Sequence, residues 1–523
     1  MSQARKRLLA VGSVLLLTVA TLSTNIGSAA AAERPQIKAL PDNLEKIRAD
    51  EARDLYGSSD IKPLDDRKTS LVTMGDSEIS GEGVGNYEPG THTDGNWCDR
   101  SLDQAVHRTG IDSDEQYNVA CSGAASPDLI QGSGSHQWNE LNQGDNLAIK
   151  ARNTHIKLIW MVIGANDSGG IEFGPTATDC VTRRILFEGP CWKKNTDDWA
   201  ARVSVSKDGV AKSIDAIRQT MSEAGYADGD YQFVTMSYPS PGGPDVEDNP
   251  NFPGWYAGGC LLYLADAAFA RNKAVPLFDN AIRETATSKG VRYLDSSHLF
   301  DGHGVCEDNT WARGVYVEPN ELPSENAFRQ SLHPNYRGHG AFAQCITSLY
   351  EHPSWKSATC VDPASTGDAS LYQGLFAFQD IKNADSGLCV DAKGYDSREG
   401  TPLQSYGCHG GRNQGYYYDS SQKSFHVELS YDRCVDYGDG TSGTQLTLSN
   451  CDGGTNQRFA VDSAGIHPAG SDDLCAAFDG AGSGSPLVLA SCDGAGAKLS
   501  LEDRNYSNPV GYNHDDFIGS KVY

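Results

Sequence analysis

The sequence predicts two consecutive domains, an α/β domain around a largely parallel sheet and an all-β domain. Between residues 70 and 360, short apolar runs alternate with segments of helical periodicity, a pattern typical of parallel strands joined by helices. Beyond residue 370 the helical periodicity ends, and short strand-like runs separated by Gly, Asp and Ser continue to about Asp503. The length of 523 residues also fits two or more domains.

The N-terminus has the layout of a secretory signal. Three basic residues at 5–7 precede an apolar run at 8–20, and three alanines at 30–32 offer a cleavage site. The apolar run is shorter than the roughly 20 residues that a membrane span needs. We therefore expect 1–32 to be a signal peptide and the mature protein to be extracellular, with no membrane span.

Charge and cysteine usage narrow the choice of partners. The chain has 69 acidic and 43 basic side chains, a formal charge of −26, which argues against nucleic acid or an anionic membrane surface as partner. Fourteen cysteines in an exported chain predict seven disulfides. Because Cys-x-x-Cys and His-Glu-x-x-His are both absent, we expect no metal site and no cofactor.

The elements of the first domain, at 69–360, follow a charged N-terminal extension at 33–68 that contains a short helix at 44–55. Buried strands are predicted at 70–74, 117–120, 156–163, 231–236 and 291–294, and helices at 200–225, 261–289 and 340–349. Two long loops are predicted at 168–199 and 239–260. Their aromatic residues either line a subsite or, as we favour, pack inward: Trp192, Phe252, Trp255 and Tyr256.

The second domain, predicted at 371–505 between a linker at 361–370 and a tail at 506–523, repeats itself. Cys389, Cys434 and Cys475 begin three units about 40 residues apart, and a second cysteine follows each by 17 to 19 residues. Three units are too few for a typical propeller, so we favour a three-lobed β-structure with one bridge per lobe. The expected pairs are Cys389–Cys408, Cys434–Cys451 and Cys475–Cys492.

These units resemble the lobes of ricin-type β-trefoil lectins. Two of them open with Cys-x-Asp and continue with Asn-Gln-x-aromatic, in which Tyr416 and Phe459 replace the family's tryptophan as a core plug. In the third unit, Ala-Lys-Leu at 497–499 replaces this ending. The resemblance implies an all-β trefoil that binds carbohydrate.

Sugar binding needs a carboxylate and an amide for the hydroxyl groups, and an aromatic face for the ring. The resemblance implies these residues: Asp391, Tyr406 and Asn413 in lobe one, and Asp436 and Asn456 in lobe two. Lobe two has Ser449 where the aromatic platform would lie, and lobe three has Ala477 instead of the aspartate. We expect lobe three to be structural only. The alternative is that all three lobes serve as a scaffold.

Four short blocks of the first domain resemble the SGNH/GDSL hydrolases. Ser77 ends a Gly-Asp-Ser sequence after the first predicted strand, and Gly123 follows the second strand. Asn166 lies in Gly-Ala-Asn-Asp after the third strand, and His333 lies in Ser-Leu-His-Pro-Asn before the last helix. The Gly-Asp-Ser tripeptide alone is weak evidence for this resemblance, but four blocks in this order at the ends of strands are specific evidence. The resemblance covers about 69–350 and implies a flavodoxin-like parallel sheet.

The resemblance assigns each block a role in acyl transfer. Ser77 would be the nucleophile and His333 its base. The backbone N–H groups of Ser77 and Gly123 and the side-chain amide of Asn166 would stabilise the oxyanion. Four other histidines compete for the role of base on composition alone: His107, His298, His303 and His339.

One position departs from the family pattern, in which an aspartate commonly precedes the histidine by three residues. Here that residue is Gln330. We therefore expect a backbone carbonyl, most simply that of Gln330, to orient the imidazole in a Ser–His dyad. Asp295 and Asp301 are less favoured alternatives.

The eight cysteines of the first domain allow 105 pairings, and we favour nearest neighbours: Cys98–Cys121, Cys180–Cys191, Cys260–Cys306 and Cys345–Cys360. Together these features predict a secreted serine esterase that a lectin module tethers to glycan, which favours a carbohydrate ester as substrate. The alternatives are a lipase- or phospholipase-like acyl hydrolase and a carbohydrate-binding protein whose hydrolase domain is inactive.

Overall fold

The computed structural model describes residues 34–243, 260–307, 309–322, 325–471 and 473–503. The predicted signal peptide, the predicted tail at 506–523, and Phe252, Trp255 and Tyr256 lie outside the described residues. In the part of the chain that the structure describes, both domains belong to one compact unit. Within the described ranges, every helix is too short or too polar to cross a membrane.

A seven-stranded sheet forms the centre of the first domain, in the order β2-β1-β3-β4-β5-β6-β7. The first six strands pair in parallel, and β7 joins the edge in the antiparallel direction. This is the flavodoxin-like order, extended by two strands, so the predicted fold class is confirmed. The strands are β1 Thr69–Gly75, β2 Glu115–Asn118, β3 His155–Val162, β4 Gln232–Met236, β5 Arg292–Asp295, β6 Ser357–Val361 and β7 Ser370–Gln373.

Helices cover this sheet and bury its central strands. The side chains of β3 from Leu158 to Val162 expose no surface, as expected for a parallel strand covered on both faces. Trp160 of β3 packs edge-on against Phe342. The helices are α1 Asp42–Tyr56, α2 Ser77–Ser80, α3 Gln143–Asn153, α4 Phe173–Leu186, α5 Trp192–Thr196, α6 Trp199–Glu223, α7 Leu264–Phe269, α8 Val275–Lys289 and α9 Tyr336–Tyr350.

The structure differs from the sequence-based expectation in several places, and it adds the unpredicted helix α3 and the unpredicted strand β6. The expected loop at 168–199 contains α4 and α5, and Trp192 packs inward. Gly and Pro in the first turn of α4 hide its helical signal. The expected helix at 261–289 is divided, since a π-helical turn, Ala270–Ala274, joins α7 and α8. Residues 370–373, expected in the linker and the second domain, form β7 in the sheet of the first.

The second domain is the predicted trefoil, since the twelve strands of its described part form three lobes of four. Tyr416 and Phe459 are fully buried in its core. Lobe one contains β8 Gln379–Asn383, β9 Leu388–Ala392, β10 Leu403–Gly407 and β11 Gly415–Asp419. Lobe two contains β12 Ser424–Val427, β13 Ser430–Asp436, β14 Thr447–Asn450 and β15 Phe459–Asp462. Lobe three contains β16 Gly465–Pro468, β17 Leu474–Phe478, β18 Leu487–Ser491 and β19 Leu499–Asp503.

All fourteen cysteines are paired, in the same seven pairs that we expected from the sequence: Cys98–Cys121, Cys180–Cys191, Cys260–Cys306, Cys345–Cys360, Cys389–Cys408, Cys434–Cys451 and Cys475–Cys492. Seven bridges fit a protein that folds in an oxidising compartment.

Buried polar groups join the two domains. Arg412 of lobe one donates hydrogen bonds to the carbonyl oxygen of Arg271 and to Nε2 of His298. Asp301 accepts a hydrogen bond of 2.8 Å from the backbone N–H of Tyr431. Within the connection at 361–370, Asp362 lies 2.9 Å from Nε2 of the buried His303. The connection between the domains is therefore held by specific contacts.

Candidate active site

The end of β1 positions Ser77 at the carboxyl edge of the sheet. Gly75 has φ +140°, and a Cβ there would lie 1.8 Å from the carbonyl oxygen of Val162, so only glycine fits. Asp76 caps the short helix α2 by accepting a hydrogen bond from the N–H of Glu78. The side-chain oxygen of Gln143 accepts a hydrogen bond from the N–H of Gly75, and its amide nitrogen donates one to the carbonyl of Gly75, each at 2.8 Å. These contacts hold the turn that carries Ser77.

His333 and Ser77 are in direct contact. The Ser77 hydroxyl donates to Nε2 of His333 at 2.7 Å, and Nδ1–H of His333 donates to the carbonyl oxygen of Ser331 at 3.0 Å. A tight turn makes the second bond possible, because the intervening Leu332 has φ +64°. The left-handed region is rare for such a residue and is found at functional sites.

The imidazole therefore donates its hydrogen bond to the backbone carbonyl of Ser331. We expected the carbonyl of Gln330, the residue before it, so that expectation was wrong. The Gln330 side chain donates to Glu318 at 3.2 Å and accepts from Arg313. Asp295 accepts from Ser297, and Asp301 accepts from His298 at 2.6 Å. The Gln330 side chain and both alternative carboxylates thus have other partners.

The competing histidines lie in other environments. His339 is buried and its Nδ1 accepts from the N–H of Ala105. His303 pairs with Asp362, and His298 pairs with Asp301. His107 lies in the 3-10 turn Ala105–Arg108.

The two expected oxyanion blocks meet after β2 and β3. Gly123 has φ +82°, and the N–H of Cys121 donates to the carbonyl of Gly75 at 3.1 Å. The Asn166 amide donates one hydrogen bond of 3.1 Å to the carbonyl of Ala124, the neighbour of Gly123. Because an amide nitrogen carries two hydrogens, the other N–H of Asn166 is available to a substrate oxygen.

A partly buried network beside these blocks, centred on Arg329, was not expected from the sequence. Its guanidinium donates to the Ser122 hydroxyl at 2.8 Å and to the Trp97 carbonyl at 2.9 Å, on either side of the Cys98–Cys121 bridge. The same guanidinium lies 3.5 Å from the buried carboxylates of Glu82 and Asp99. Arg329 precedes His333 by four residues. It therefore links the histidine segment to the loop that carries Gly123.

Burial and charge shift the pKa values of His333 and of Asp76, the neighbour of Ser77. Burial, and then the Arg329 charge, lower the pKa of His333 to about 4. The imidazole is thus neutral at neutral pH and able to accept a proton. Burial raises the pKa of Asp76 to about 7, although the Tyr238 hydroxyl donates to its carboxylate at 2.6 Å.

An apolar cavity of about 130 Å³ opens beside this pair, and Ser77, Asn166 and His333 all line it. Its remaining wall is formed mainly by apolar side chains from α4, α6, α7, α8 and nearby turns: Ile171, Phe173, Ala177, Trp199, Pro239, Leu262, Phe269, Ala274, Val275, Phe278, Phe300 and Leu332. Such a wall suits an apolar ligand that carries one polar group.

Lobe one of the trefoil brings its three expected residues close together. The buried carboxylate of Asp391 accepts from the Asn413 amide at 2.8 Å, and Oδ1 of Asn413 is buried without a hydrogen-bond partner among the described residues. Tyr406 is 41% exposed, as a platform must be. His409, which was not among the residues expected at this site, lies 3.4 Å from the Asp391 carboxylate and edge-on to Tyr406.

The other lobes lack part of this arrangement. In lobe two, Asp436 accepts from Asn456 at 2.5 Å. Ser449 pairs with Cys434 in the register that Tyr406 and Cys389 have in lobe one, which identifies the missing platform. Tyr437, which the sequence analysis did not consider, is a half-buried ring beside Asp436. Lobe three has Ala477 and no carboxylate at this position.

Comparison with known families agrees with both halves of the chain. The sequence matches the model of the GDSL-like Lipase/Acylhydrolase family over residues 73–341, slightly more than half of the chain. The chain belongs to this family. It also matches the ricin-type beta-trefoil lectin domain over residues 377–500. This acylhydrolase family member therefore carries an appended domain similar to the ricin-type lectins. No curated protein matches the chain.

Several solved structures are similar to parts of this acylhydrolase. An extracellular lipase from Streptomyces rimosus has 21% identity, covers 55% of this chain and 100% of its own, and gives a TM-score of 0.34. A phospholipase A1 from Streptomyces albidoflavus NA297 has 22% identity with the same coverage and a TM-score of 0.35. The C-half of an earthworm R-type lectin in complex with GalNAc has 18% identity, covers 24% of this chain and 99% of its own, and gives a TM-score of 0.22.

Proposed function

We propose that this protein is an extracellular serine hydrolase that cleaves carboxylic esters with an apolar acyl chain, while its trefoil holds it near glycan. One observation carries the proposal. The Ser77–His333 pair, joined by a hydrogen bond of 2.7 Å, lies on the wall of a predominantly apolar cavity. A nucleophile, a neutral base and an acyl site thus occur together.

In the first step, the Ser77 oxygen attacks the ester carbonyl while Nε2 of His333 takes the hydroxyl proton. The positive charge that forms on the imidazole is stabilised by the Ser331 carbonyl, which accepts from Nδ1–H at 3.0 Å. The low pKa of His333 keeps the base neutral before the reaction. The imidazolium then gives its proton to the leaving alcohol, and water releases the acyl group by the same two steps.

The oxyanion of each tetrahedral intermediate needs donors that are already oriented. We assign this role to the backbone N–H groups of Ser77 and Gly123 and to the free amide hydrogen of Asn166. The bond from Asn166 to the Ala124 carbonyl fixes the amide plane. Loss of one such side-chain donor costs about 3 kcal/mol of transition-state stabilisation in other serine hydrolases.

The cavity favours a substrate with a long acyl chain over one with a short acyl group such as acetyl, a distinction that the carbohydrate ester expected from the sequence left open. Each buried CH₂ group contributes about 0.8 kcal/mol, and an acetyl group has a single methyl to bury. The apolar wall therefore contributes to binding only when a longer chain fills it. This supports the lipase-like alternative for the acyl part of the substrate.

Glycan enters the proposal as the anchoring partner. Lobe one keeps the carboxylate, the amide and the exposed aromatic ring, and Oδ1 of Asn413 is buried without a partner among the described residues. A tether raises the concentration of the hydrolase domain near ester on the same surface without changing its chemistry. The intact Ser77–His333 contact speaks against a purely carbohydrate-binding role.

Hydrolysis of p-nitrophenyl esters of graded chain length tests the proposal. From acetate to octanoate, six added CH₂ groups contribute up to about 5 kcal/mol, and we expect kcat/KM to rise at least a hundredfold. Ala177→Phe, which fills the cavity, should move the optimum to shorter esters and leave acetate hydrolysis nearly unchanged. Ser77→Ala should abolish all of these activities. A preference for acetate would overturn the proposed acyl chain, and retained activity in Ser77→Ala would overturn the nucleophile.

A further inference from the structure

The helices α4 and α5 form a braced hairpin, here called the tip hairpin (residues 173–196). The Cys180–Cys191 disulfide joins α4 to the residue that precedes α5. The backbone N–H of Glu188 donates to the carbonyl of Arg183 at 2.9 Å, and the N–H of Gly189 donates to the Tyr263 hydroxyl at 3.2 Å. The turn between the helices is thus held from both sides.

The last turn of α4 and the residue after it present three consecutive large apolar side chains to solvent. Ile185, Leu186 and Phe187 are 43%, 57% and 73% exposed. Single exposed apolar residues are ordinary, but a contiguous group marks an interaction site. Phe187 also has φ +57° at the C-cap of α4, a position that usually carries glycine. A bulky ring here is disfavoured both by its backbone conformation and by its exposure.

Charge around the tip differs from the charge of the whole chain. The tip hairpin contains four basic and two acidic side chains, net +2, in a protein of net charge −26. Lys193 and Lys194 are exposed on α5, six and seven residues after Phe187, and Lys194 also lies 3.3 Å from the Asp179 carboxylate of α4. Salt screens the interaction between exposed charges beyond about 8–10 Å at physiological ionic strength. The charges nearest to this surface therefore decide whether it attracts or repels a phosphate group. The average surface of this acidic protein repels an anionic membrane, whereas the tip hairpin has a positive net charge.

The tip hairpin is continuous with the acyl cavity. Phe173, at the start of α4, packs edge-on to the His333 ring at 6.3 Å. Ala177 and both cysteines of the bridge line the cavity further along the hairpin. Phe187 follows Cys180 by seven residues, about 10 Å along a helix. The same hairpin therefore forms the cavity wall on its inner side and carries the apolar group at its end.

From these observations we propose that the tip hairpin docks the protein on a phospholipid surface, with Ile185, Leu186 and Phe187 inserted among the acyl chains and Lys193 and Lys194 against headgroup phosphates. This inference rests on the proposed function, because a lipid surface presents esters with long acyl chains. Docking would hold the cavity wall on the surface that supplies the substrate.

Vesicle binding of the full-length protein tests the docking surface. The Ser77→Ala protein, which leaves the lipid intact, is sedimented with vesicles of phosphatidylcholine containing one-fifth phosphatidylglycerol, which offer no sugar to the trefoil. We expect binding, and we expect Leu186→Ser with Phe187→Gly to weaken it by about tenfold or more. Glycine suits the backbone at 187, so the melting temperature should not fall. Lys193→Gln with Lys194→Gln should weaken binding more on these vesicles than on phosphatidylcholine alone.

The matched control is Leu102→Ser, which removes an exposed leucine of the same domain and should leave vesicle binding unchanged. Absence of binding by the parent protein, or equal binding by the tip variant, would overturn the inference. So would a dimer in sedimentation velocity that the tip variant dissociates, because the tip would then contact a second copy. The soluble ester series separates the two proposals: a preference for long chains without vesicle binding refutes docking alone, whereas a preference for acetate refutes the proposed acyl chain.

Discussion

Leu332 offers a direct test of the Ser–His dyad, because its backbone conformation places the acceptor of the imidazole. With φ +64°, it turns the Ser331 carbonyl to within 3.0 Å of Nδ1 of His333. Its side chain is buried and lines the cavity. Backbone and side chain can be perturbed separately. Leu332→Ile keeps the apolar volume but is branched at Cβ, which the left-handed region disfavours. Leu332→Gly keeps the turn and removes the side chain.

The two variants should change different kinetic parameters, kcat in Leu332→Ile and KM in Leu332→Gly. A hydrogen bond to a charged group contributes about 1.5–3 kcal/mol. Displacing the Ser331 carbonyl from the forming imidazolium should therefore lower kcat of Leu332→Ile about ten- to 150-fold. Leu332→Gly should keep kcat on p-nitrophenyl acetate within about threefold, because its turn survives. On octanoate it should raise KM, since a wall of the cavity is lost.

Steady-state kinetics on both esters, with the melting temperature as a control for folding, measures these effects. Gln330→Ala is the matched control, because its carbonyl survives and its side chain contacts Glu318 and Arg313 instead of His333. Loss of a true triad aspartate costs about ten-thousand-fold. A loss of that size in Gln330→Ala, or an unchanged kcat in Leu332→Ile, would refute the assignment of the Ser331 carbonyl.

Three further predictions concern charge and tethering. The rate on a soluble ester should stay constant from pH 7 to about 5 and fall below about pH 4, where the imidazole of His333 gains a proton. Arg329→Gln should move this fall to higher pH, because it removes a positive charge that lowers the pKa of His333. Substitution of the exposed Arg337 by Gln should leave the pH profile unchanged. Burial raises the pKa of Asp76 to about 7, whereas an aspartate in an unfolded chain has a pKa of about 3.9. As the pH rises, the unfolded state therefore loses this proton before the folded state does. The free energy of unfolding should decrease from pH 4 to pH 7 for this reason. Denaturant titrations of Asp76→Asn should show less of this decrease, and an identical pH dependence would contradict the shift. Asp391→Ala with Tyr406→Ala should slow hydrolysis of ester on a glycan-coated surface but not of soluble ester, and an unchanged ratio of the two rates would exclude tethering by lobe one.

Local sequence was sufficient for the framework of this protein. The apolar runs that became β1 and β3 identified a parallel sheet, because strands covered on both faces need continuous apolar residues. Cysteines at a regular spacing indicated three similar lobes, and Tyr416 and Phe459 occupied the expected core positions. The blocks around Ser77, Gly123, Asn166 and His333 were recognisable for the same reason, since each lies within a few residues of a strand or helix end.

Only the tertiary structure decided how these blocks work together. The Ser331 carbonyl became the acceptor through an unfavourable backbone angle at Leu332, and residue type gives no indication of that angle. Arg329 and Tyr238 reach partners 207 and 162 residues away in the chain, at Ser122 and Asp76. The apolar cavity likewise collects side chains from α4, α6, α7 and α8. A sequence pattern records neighbours along the chain, whereas the acceptor, the charges and the acyl site depend on neighbours in space that only the packing of distant segments brings together.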